Sequence, residues 1–582
     1  MCFWHRNPDN VSFWILDFGF WTATKKRSFR QEALAYLEPI EEWFFRPPAA
    51  GQLLAGDQSK IQNPKYTGEM VCVTAAMAIA LMLGLSNLGA PSLWHDEAVQ
   101  VLVAKSIAGT GRALLPSGQP HPVAPVFNGV IAAFITLFGD SEAAVRAPSV
   151  VFAAVNVLLT YLLARPLLGR PTALVAAFAL ALSPWSVAWS RQARFYSAQQ
   201  TFYLLTLWAG WRMMSREKVS AMIGYGVCAL WAYLLGIGTS LHSLLFLGPI
   251  GAYAVCMAIC GNGRVELLLD RGRGGPRPYL EVLTSRWTLF FLLAALAGAL
   301  TLLAYYVFLP ARDAAVVFSS ARPPVVTGDP EQTARLYYVS WLYGNLGVGF
   351  FLLAVLGFLL MIVRERNRGI FAALAFLIPL LVLSVLIGYR RHRFLLFAFP
   401  IYTMAFSYGI VVLTHYVLRA DRTWRHVLLS VVIVIFGLRL GVSAISLVSD
   451  SIDVARGADT TLATRHPQYR KPCLYTREHL APGVVVIADT YVTALYYVGR
   501  VDSWFPSRFM PWEAWEIGNE GLRTLEDLKE YMAQHPKGYF IAEWYRFEHF
   551  DAQKEERDWV NAHMRRIAEA SSGDVTLYAW GI

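Results

Sequence analysis

The run VCVTAAMAIALMLGLSNL, residues 71–88, is followed two residues later by PSLWHDEAVQ, residues 91–100. The first stretch carries no charge over a length that fits the hydrocarbon of a bilayer. The second places two adjacent carboxylates, Asp96 and Glu97, just past its end, at a membrane surface. Acids at the mouth of a span bind a cation, act as a general base, or end a helix in water. The side of the membrane they face, and the polar groups that join them there, decide among the three.

Composition extends this reading to the whole chain. Of 582 residues, 55% are hydrophobic and 16% are charged, with mean hydropathy +0.40, which is too apolar for an ordinary soluble protein. The chain reads as a polytopic α-helical membrane protein. Its net charge of +10 comes from short Lys and Arg clusters between apolar runs. No basic face interleaved with aromatics occurs, so nucleic acid is excluded as a partner. Of Cys2, Cys72, Cys228, Cys256, Cys260 and Cys473, only Cys473 falls in the C-terminal tail, which implies no disulfide framework there. Cys256 and Cys260 share one face of an apolar helix without further ligands nearby and read as buried thiols.

Residues 1–70 do not resemble a signal peptide, because the basic cluster Lys25, Lys26, Arg27 and Arg30 follows the short apolar run instead of preceding it. They read as a cytoplasmic N-terminal extension, or as the product of a misassigned start upstream of Met70. A native N-terminus at Met1, found by mass spectrometry, would exclude the second reading.

From Val71 onward, hydropathy and the positive-inside rule are solved together. Charged breaks at Arg165 and Arg170, Arg212–Lys218, 264–286, RERNR (364–368) and RADRTWR (419–425) are placed in the cytoplasm. Residues 125–138 are too short for a ~20-residue crossing and are read as an interfacial helix within an external loop, 90–145. The remaining runs give about eleven crossings, near 71–89, 146–163, 171–189, 197–213, 220–238, 242–260, 287–309, 336–362, 369–388, 394–418 and 426–447. An odd number leaves the N-terminus inside and the tail outside. The transmembrane domain is 71–448, and 449–582 is a separate extracytoplasmic domain. In that tail the runs VVVIAD (484–489), YFIAEW (539–544) and VTLYAW (575–580) alternate with helical patterns, predicting a small α/β domain with a largely parallel sheet.

This topology gathers polar residues on one face. Asp96 and Glu97 share it with His121 in QPHP (119–122), with Arg191, Arg194 and Tyr196 in SRQARFYS, with His242 at the start of a span, and with Arg390, Arg391, His392 and Arg393 in GYRRHR (388–393). The last cluster runs against the positive-inside tendency. A lipid phosphate is its natural partner, since Arg matches phosphate oxygens in bidentate fashion; the competing reading is interfacial snorkelling. Taken alone, His121 and His242 read as structural.

The order of motifs carries a resemblance. A DE pair in the first external loop is followed by HPVAP (121–125), GDSEAAVRAPSVVFA (139–153), ALSPWSVAWSRQARFYS (181–197), GTSLHSLLF (238–246) and RRHRFLLFAFP (390–400). Together they resemble the C-type integral membrane glycosyltransferases of the protein O-mannosyltransferase and aminoarabinose-transferase superfamily, over about residues 71–450. The resemblance implies transfer of a sugar from a polyprenyl-phosphate donor to an acceptor on the extracytoplasmic side of the inner (plasma) membrane. Carried over by position, Asp96 is the general base and Glu97 orients or electrostatically supports it. Arg194 and Tyr196 contact donor phosphate or sugar, and Arg393 binds the phosphate with Arg390 and Arg391 as helpers. Arg191 and His121 join the substrate site, and His242 lines it or ligates a metal. Asp96, Glu97, His121 and His242 are the candidate ligands for a divalent metal ion, although Val123 stands where relatives often carry a second proline.

The residues fit this chemistry on their own terms. Displacing a sugar from a phosphodiester needs a base for the attacking hydroxyl and cations for the leaving phosphate. One carboxylate base without a second nucleophile favours inversion. A transporter or lipid flippase with an external domain is the alternative, and it predicts charges near mid-span in paired, broken helices. Protein, lipid and polysaccharide acceptors all remain open.

Overall fold

In the computed structural model the described residues are 64–257 except 217, 336–417 except 386–389, 431, 434–446, 448–449, and 467–582 except 510–512, 519, 544–546 and 548–553. Residues 1–63, the basic loop 264–286, the expected span 287–309 and the loop at 419–425 lie outside them.

The first helix, Pro64–Leu85, begins before the apolar run, so a boundary at residue 70 falls inside it. Glu69 on its first turns is buried. Its carboxylate accepts the Tyr161 hydroxyl proton at 2.5 Å and pairs with Arg165 at 3.1 Å and Arg170 at 2.8 Å. Both arginines come from the far end of Glu142–Leu168 and its sequel, the 27-residue helix that Ser141 caps by accepting from the Ala144 amide.

Among the described residues five helices are long and apolar enough to cross a membrane: Gly68–Leu85, Glu142–Leu168, Val219–Ile237, Asn367–Val385 and His392–Thr414. The expected straight span 171–189 is instead two helices, Arg170–Ala181 and Pro184–Ser190, meeting at 54°. The break follows from Ser183-Pro184: proline lacks the N–H that would continue the ladder, and the Ser183 hydroxyl caps the new start through Ser186. The expected span 336–362 is likewise divided, into Tyr337–Leu346 and Val348–Arg364, at Gly347, whose φ of +95° favours glycine. Tyr196–Met214 replaces the run 197–213, and its buried Gln199, Gln200 and Thr201 are hydrogen-bonded to neighbouring helices. Leu241–Met257 is shorter than a full crossing, as is Pro125–Phe138 with its exposed Leu137 and Phe138.

Helix crossings use small residues. A Cβ on Gly357 would collide with the Ala405 carbonyl, and one on Gly409 with that of Leu353, so Val348–Arg364 and Phe399–Val417 meet backbone to backbone. Large apolar side chains such as Met82, Trp231, Leu359 and Leu381 face outward.

The tail forms a five-stranded sheet of order β2-β1-β3-β5-β4, with β1 Val485–Ala488, β2 Ser503–Trp504, β3 Gly538–Glu543, β4 Arg565–Arg566 and β5 Val575–Trp580. β1 pairs in parallel with β2 and β3, whereas β5 pairs antiparallel with β3 and β4. The sheet is mixed, not largely parallel. β4 and β5 are joined by residues 567–574, too few for the crossover a parallel pair demands.

The tail is bonded to the loop that carries Asp96. The Ser92 amide donates to Gln468 Oε1 at 3.1 Å, and the Arg470 guanidinium pairs with Glu142 at 2.6 Å. The Tyr497 hydroxyl accepts from the Leu93 amide at 2.7 Å and donates to Glu142 at 3.0 Å. Ala98, Val99 and Val103 of His95–Thr110 pack with Val492, Trp504 and Ile517 of the tail in one apolar cluster.

Candidate active site

Helix His95–Thr110 starts immediately after Trp94, and its third residue, Glu97, is fully buried. A buried carboxylate survives only when paired and hydrogen-bonded. Arg146 supplies this through Nε at 2.8 Å and Nη2 at 2.7 Å, in the bidentate geometry of an Arg–carboxylate pair. The Ala193 amide adds a third bond at 2.6 Å, and the Trp94 amide a fourth at 3.4 Å. Arg146 spends its other N–H groups on the carbonyls of Leu88, Pro91 and Ser92. One ion pair thereby ties together the first loop, the Glu142–Leu168 helix and the turn at Ala193. Both Glu97 oxygens are taken up by this clamp.

The neighbouring residue is placed differently. The Asp96 side chain is 25% exposed and meets Arg194 Nη2 and Arg393 Nη1, each at 3.2 Å. Arg194 also donates from Nη1 to the Asp96 carbonyl at 2.9 Å, a bond made possible because Ala193 is anchored on Glu97. Aromatic rings face both guanidiniums. Arg194 lies 6.0 Å from the Trp94 centroid, 5.2 Å from Phe195 and 5.7 Å from Tyr196. Arg393 lies 5.7 Å from Trp94, 5.9 Å from Trp189 and 6.0 Å from Tyr196. Such faces attract cations without neutralising them.

The other expected residues separate into two groups. Tyr196 is buried against Trp189, and His242 stacks on Phe394, with centroids 4.5 Å apart, beside Arg393. His392 stacks on Trp341 at 5.0 Å and 6°. These line the arginine pair. Arg191 and Arg390 are instead engaged by backbone carbonyls. Arg191 donates to the carbonyls of Leu83, Gly84, Ser86 and Asn87, closing the C-terminal end of Pro64–Leu85 where four carbonyls lack intrahelical partners. Arg390 donates through Nε and Nη2 to the Ser384 carbonyl at the end of Asn367–Val385. Arg391 precedes the 3-10 turn His392–Ala398, and its carbonyl accepts from the Phe394 amide.

His121 is buried, and burial pulls its imidazole pKa down to about 4; the Glu516 carboxylate opposes that shift and Arg194 adds to it. The ring is therefore neutral at physiological pH.

The metal expectation does not fit. Among the described residues no three His, Cys, Asp or Glu side chains converge. Of the candidates Asp96, Glu97, His121 and His242, Glu97 is taken up by Arg146 and Asp96 faces two guanidiniums, whose charge opposes a cation.

Two contributors escaped the sequence reading. Arg146 lies within the quoted GDSEAAVR motif, and its signal was a cation one turn into a long, mainly apolar helix. Glu516 carried no signal, since an acid in a tail helix is normally a solvated one. It lies 3.3 Å from His95 Nε2.

No curated protein matches the chain by sequence. Residues 120–257 match the family model described as dolichyl-phosphate-mannose-protein mannosyltransferase. Among solved structures, ArnT from Cupriavidus metallidurans bound to undecaprenyl phosphate superposes with a TM-score of 0.56 at 12% identity, covering 87% of this chain and 97% of that one. The archaeal oligosaccharyltransferase AglB from Archaeoglobus fulgidus, in complex with an inhibitory peptide and a dolichol-phosphate, gives 0.52 at 12% identity, covering 82% and 70%. A further structure of the Archaeoglobus fulgidus oligosaccharyltransferase, with Zn and sulfate, gives 0.54 at 12% identity over 87% and 72%. The chain thus has the fold of the ArnT and AglB membrane glycosyltransferases, and its residues 120–257 match the dolichyl-phosphate-mannose-protein mannosyltransferase family.

Proposed function

We propose that this protein transfers a sugar from a polyprenyl-phosphate donor to an acceptor hydroxyl on the extracytoplasmic face of the membrane. The observation that carries this reading is Asp96, partly exposed and flanked at 3.2 Å by Arg194 and Arg393 among aromatic rings. The guanidiniums supply the charge that a leaving phosphate requires. When the donor enters, its phosphate competes with Asp96 for Arg194 and Arg393, which releases the carboxylate towards the acceptor hydroxyl.

Asp96 then accepts the proton of the acceptor hydroxyl. The acceptor oxygen bonds to C1 while the C1–O bond to phosphate breaks, and polyprenyl phosphate departs with the bonding electrons. A single displacement of this kind inverts the anomeric centre. The membrane orientation rests on the charges at the other end of the helices, where Arg165, Arg170, Arg216, Arg364 and Arg368 follow the positive-inside pattern. The tail, docked on the Asp96 loop, then covers the site from outside.

The test is transfer in proteoliposomes from a panel of polyprenyl-phosphate sugars to envelope extracts, with the product anomer read by NMR. Native protein should transfer one sugar with inversion, and Asp96→Asn should lose about 10²–10⁴-fold in rate while remaining folded. Equal rates in both proteins would remove Asp96 as the base.

A further inference from the structure

The tail reaches the His95 side chain with a short helix, Glu513–Ile517. The Ser117 amide donates to the Glu516 carbonyl at 3.1 Å, so the helix is seated on the turn that runs from Ala113 to His121. That turn is closed by the His121 amide, which donates to the Ala113 carbonyl at 2.9 Å, and by the bridge between Leu114 and Pro120. The Glu516 carboxylate then meets His95 Nε2 at 3.3 Å, with both side chains largely buried.

His121 stands beside this pair and is not completed by it. The side chain is 8% exposed, and neither Nδ1 nor Nε2 has a hydrogen-bond partner among the described residues. Buried polar nitrogens are normally satisfied, and two idle ones on a single ring mark a place where a ligand supplies the missing bonds. The turn that carries His121 is the one seated on the Glu516 helix, and Glu516 in turn meets His95, the residue before Asp96.

The charges separate the two substrates. The donor phosphate is anionic and belongs with Arg194 and Arg393. Glu516 repels an anion from the His121 side, and a neutral imidazole both donates to and accepts from an uncharged hydroxyl. We propose that His121, with Glu516 contributed by the C-terminal tail, is the acceptor subsite, binding a hydroxyl of a sugar or of a Ser or Thr side chain. This rests on the transfer reading above and assigns its second substrate to these two residues. His121 hydrogen-bonds the hydroxyl-bearing group and directs its attacking oxygen towards Asp96. Glu516 shapes the wall through its pair with His95.

The experiment measures initial transfer rates in proteoliposomes with acceptor and donor varied separately, for native protein, His121→Ala, His121→Asn and Glu516→Gln. A glycan acceptor and a Ser/Thr peptide are run as separate arms. His121→Ala should raise the acceptor KM by about tenfold or more, the effect of losing a hydrogen bond, while the donor KM stays within about twofold. His121→Asn should recover part of the loss, because its amide also donates and accepts, and Glu516→Gln should raise the acceptor KM less. The responding arm identifies which kind of hydroxyl is bound. If His121→Ala fails to fold, the other two variants carry the test. An unchanged acceptor KM in all folded variants, or a rise confined to the donor KM, overturns the subsite while leaving the transfer reading intact. No transfer by native protein in either arm with any donor overturns both.

Discussion

Two carboxylates, at opposite ends of the helical region, are each held between two arginines. Glu69 sits between Arg165 and Arg170, and Asp96 between Arg194 and Arg393. Glu69 is 9% exposed and takes a further hydrogen bond from the Tyr161 hydroxyl, so its oxygens are enclosed by the protein. Asp96 is 25% exposed, its two arginines meet it at 3.2 Å, and aromatic faces lie against both guanidiniums. The same ion-pair motif therefore serves two ends. The enclosed set fastens helices, and the proposed function assigns the partly exposed one to substrate.

Substitutions should separate the two ends cleanly. The largest effect on activity is expected from Asp96→Asn, with transfer reduced about 10²–10⁴-fold and the thermal midpoint in detergent little changed. If stability fell instead, the Asp96 cluster would be a fastening like that of Glu69. Next, Arg146→Met should destabilise the protein by about 3–5 kcal/mol, because it strands the buried Glu97 charge, and transfer should fall only as folded protein is lost. Chemical denaturation together with rate per folded molecule checks this. Glu69→Gln should cost about 1–3 kcal/mol in the same denaturation assay, with the rate per folded molecule preserved. A rate loss there would couple the two ends.

The smallest effect concerns pH. The buried His121 imidazole has a folded pKa of about 4, below the ordinary value of 6.5, so below pH 6.5 the unfolded chain binds the proton that the folded one refuses. The stability tied to His121 is complete above pH 6.5 and declines as pH falls towards 4. His121→Gln should flatten that decline in thermal midpoints recorded between pH 7 and pH 5. A native profile with no excess decline over the variant would show that the ring titrates normally. Glu516 and Arg194, which act on it in opposite directions, are unchanged in that variant.

Much of the fold was legible because hydropathy is a local property. The runs around 71–88, 220–238 and 369–388 each emerged as a helix close to the expected bounds. The broken segment at Ser183-Pro184 was legible in principle, since proline at a helix start is a local signal, but the apolar residues on both sides masked it in a windowed reading. The sheet was overread as largely parallel because alternation of strands and helices does not report the short final connection to β5.

At the site, residue type and location reached Asp96, Arg194 and Arg393, but could not sort the arginines. Arg191 and Arg393 both lie next to aromatic or polar neighbours in sequence, and only the packed structure shows that one meets backbone carbonyls and the other the Asp96 carboxylate. Sequence alone determined that this chain is a membrane protein with acids and arginines gathered at one face, because solvation by lipid or water acts on each segment where it stands. Only the tertiary structure decided that Glu97 belongs to Arg146 while Asp96 faces Arg194 and Arg393, and that Glu516 arrives beside His95. Those pairings join residues far apart in the chain, and burial and distance, which select among possible partners, exist only once the helices and the tail are packed.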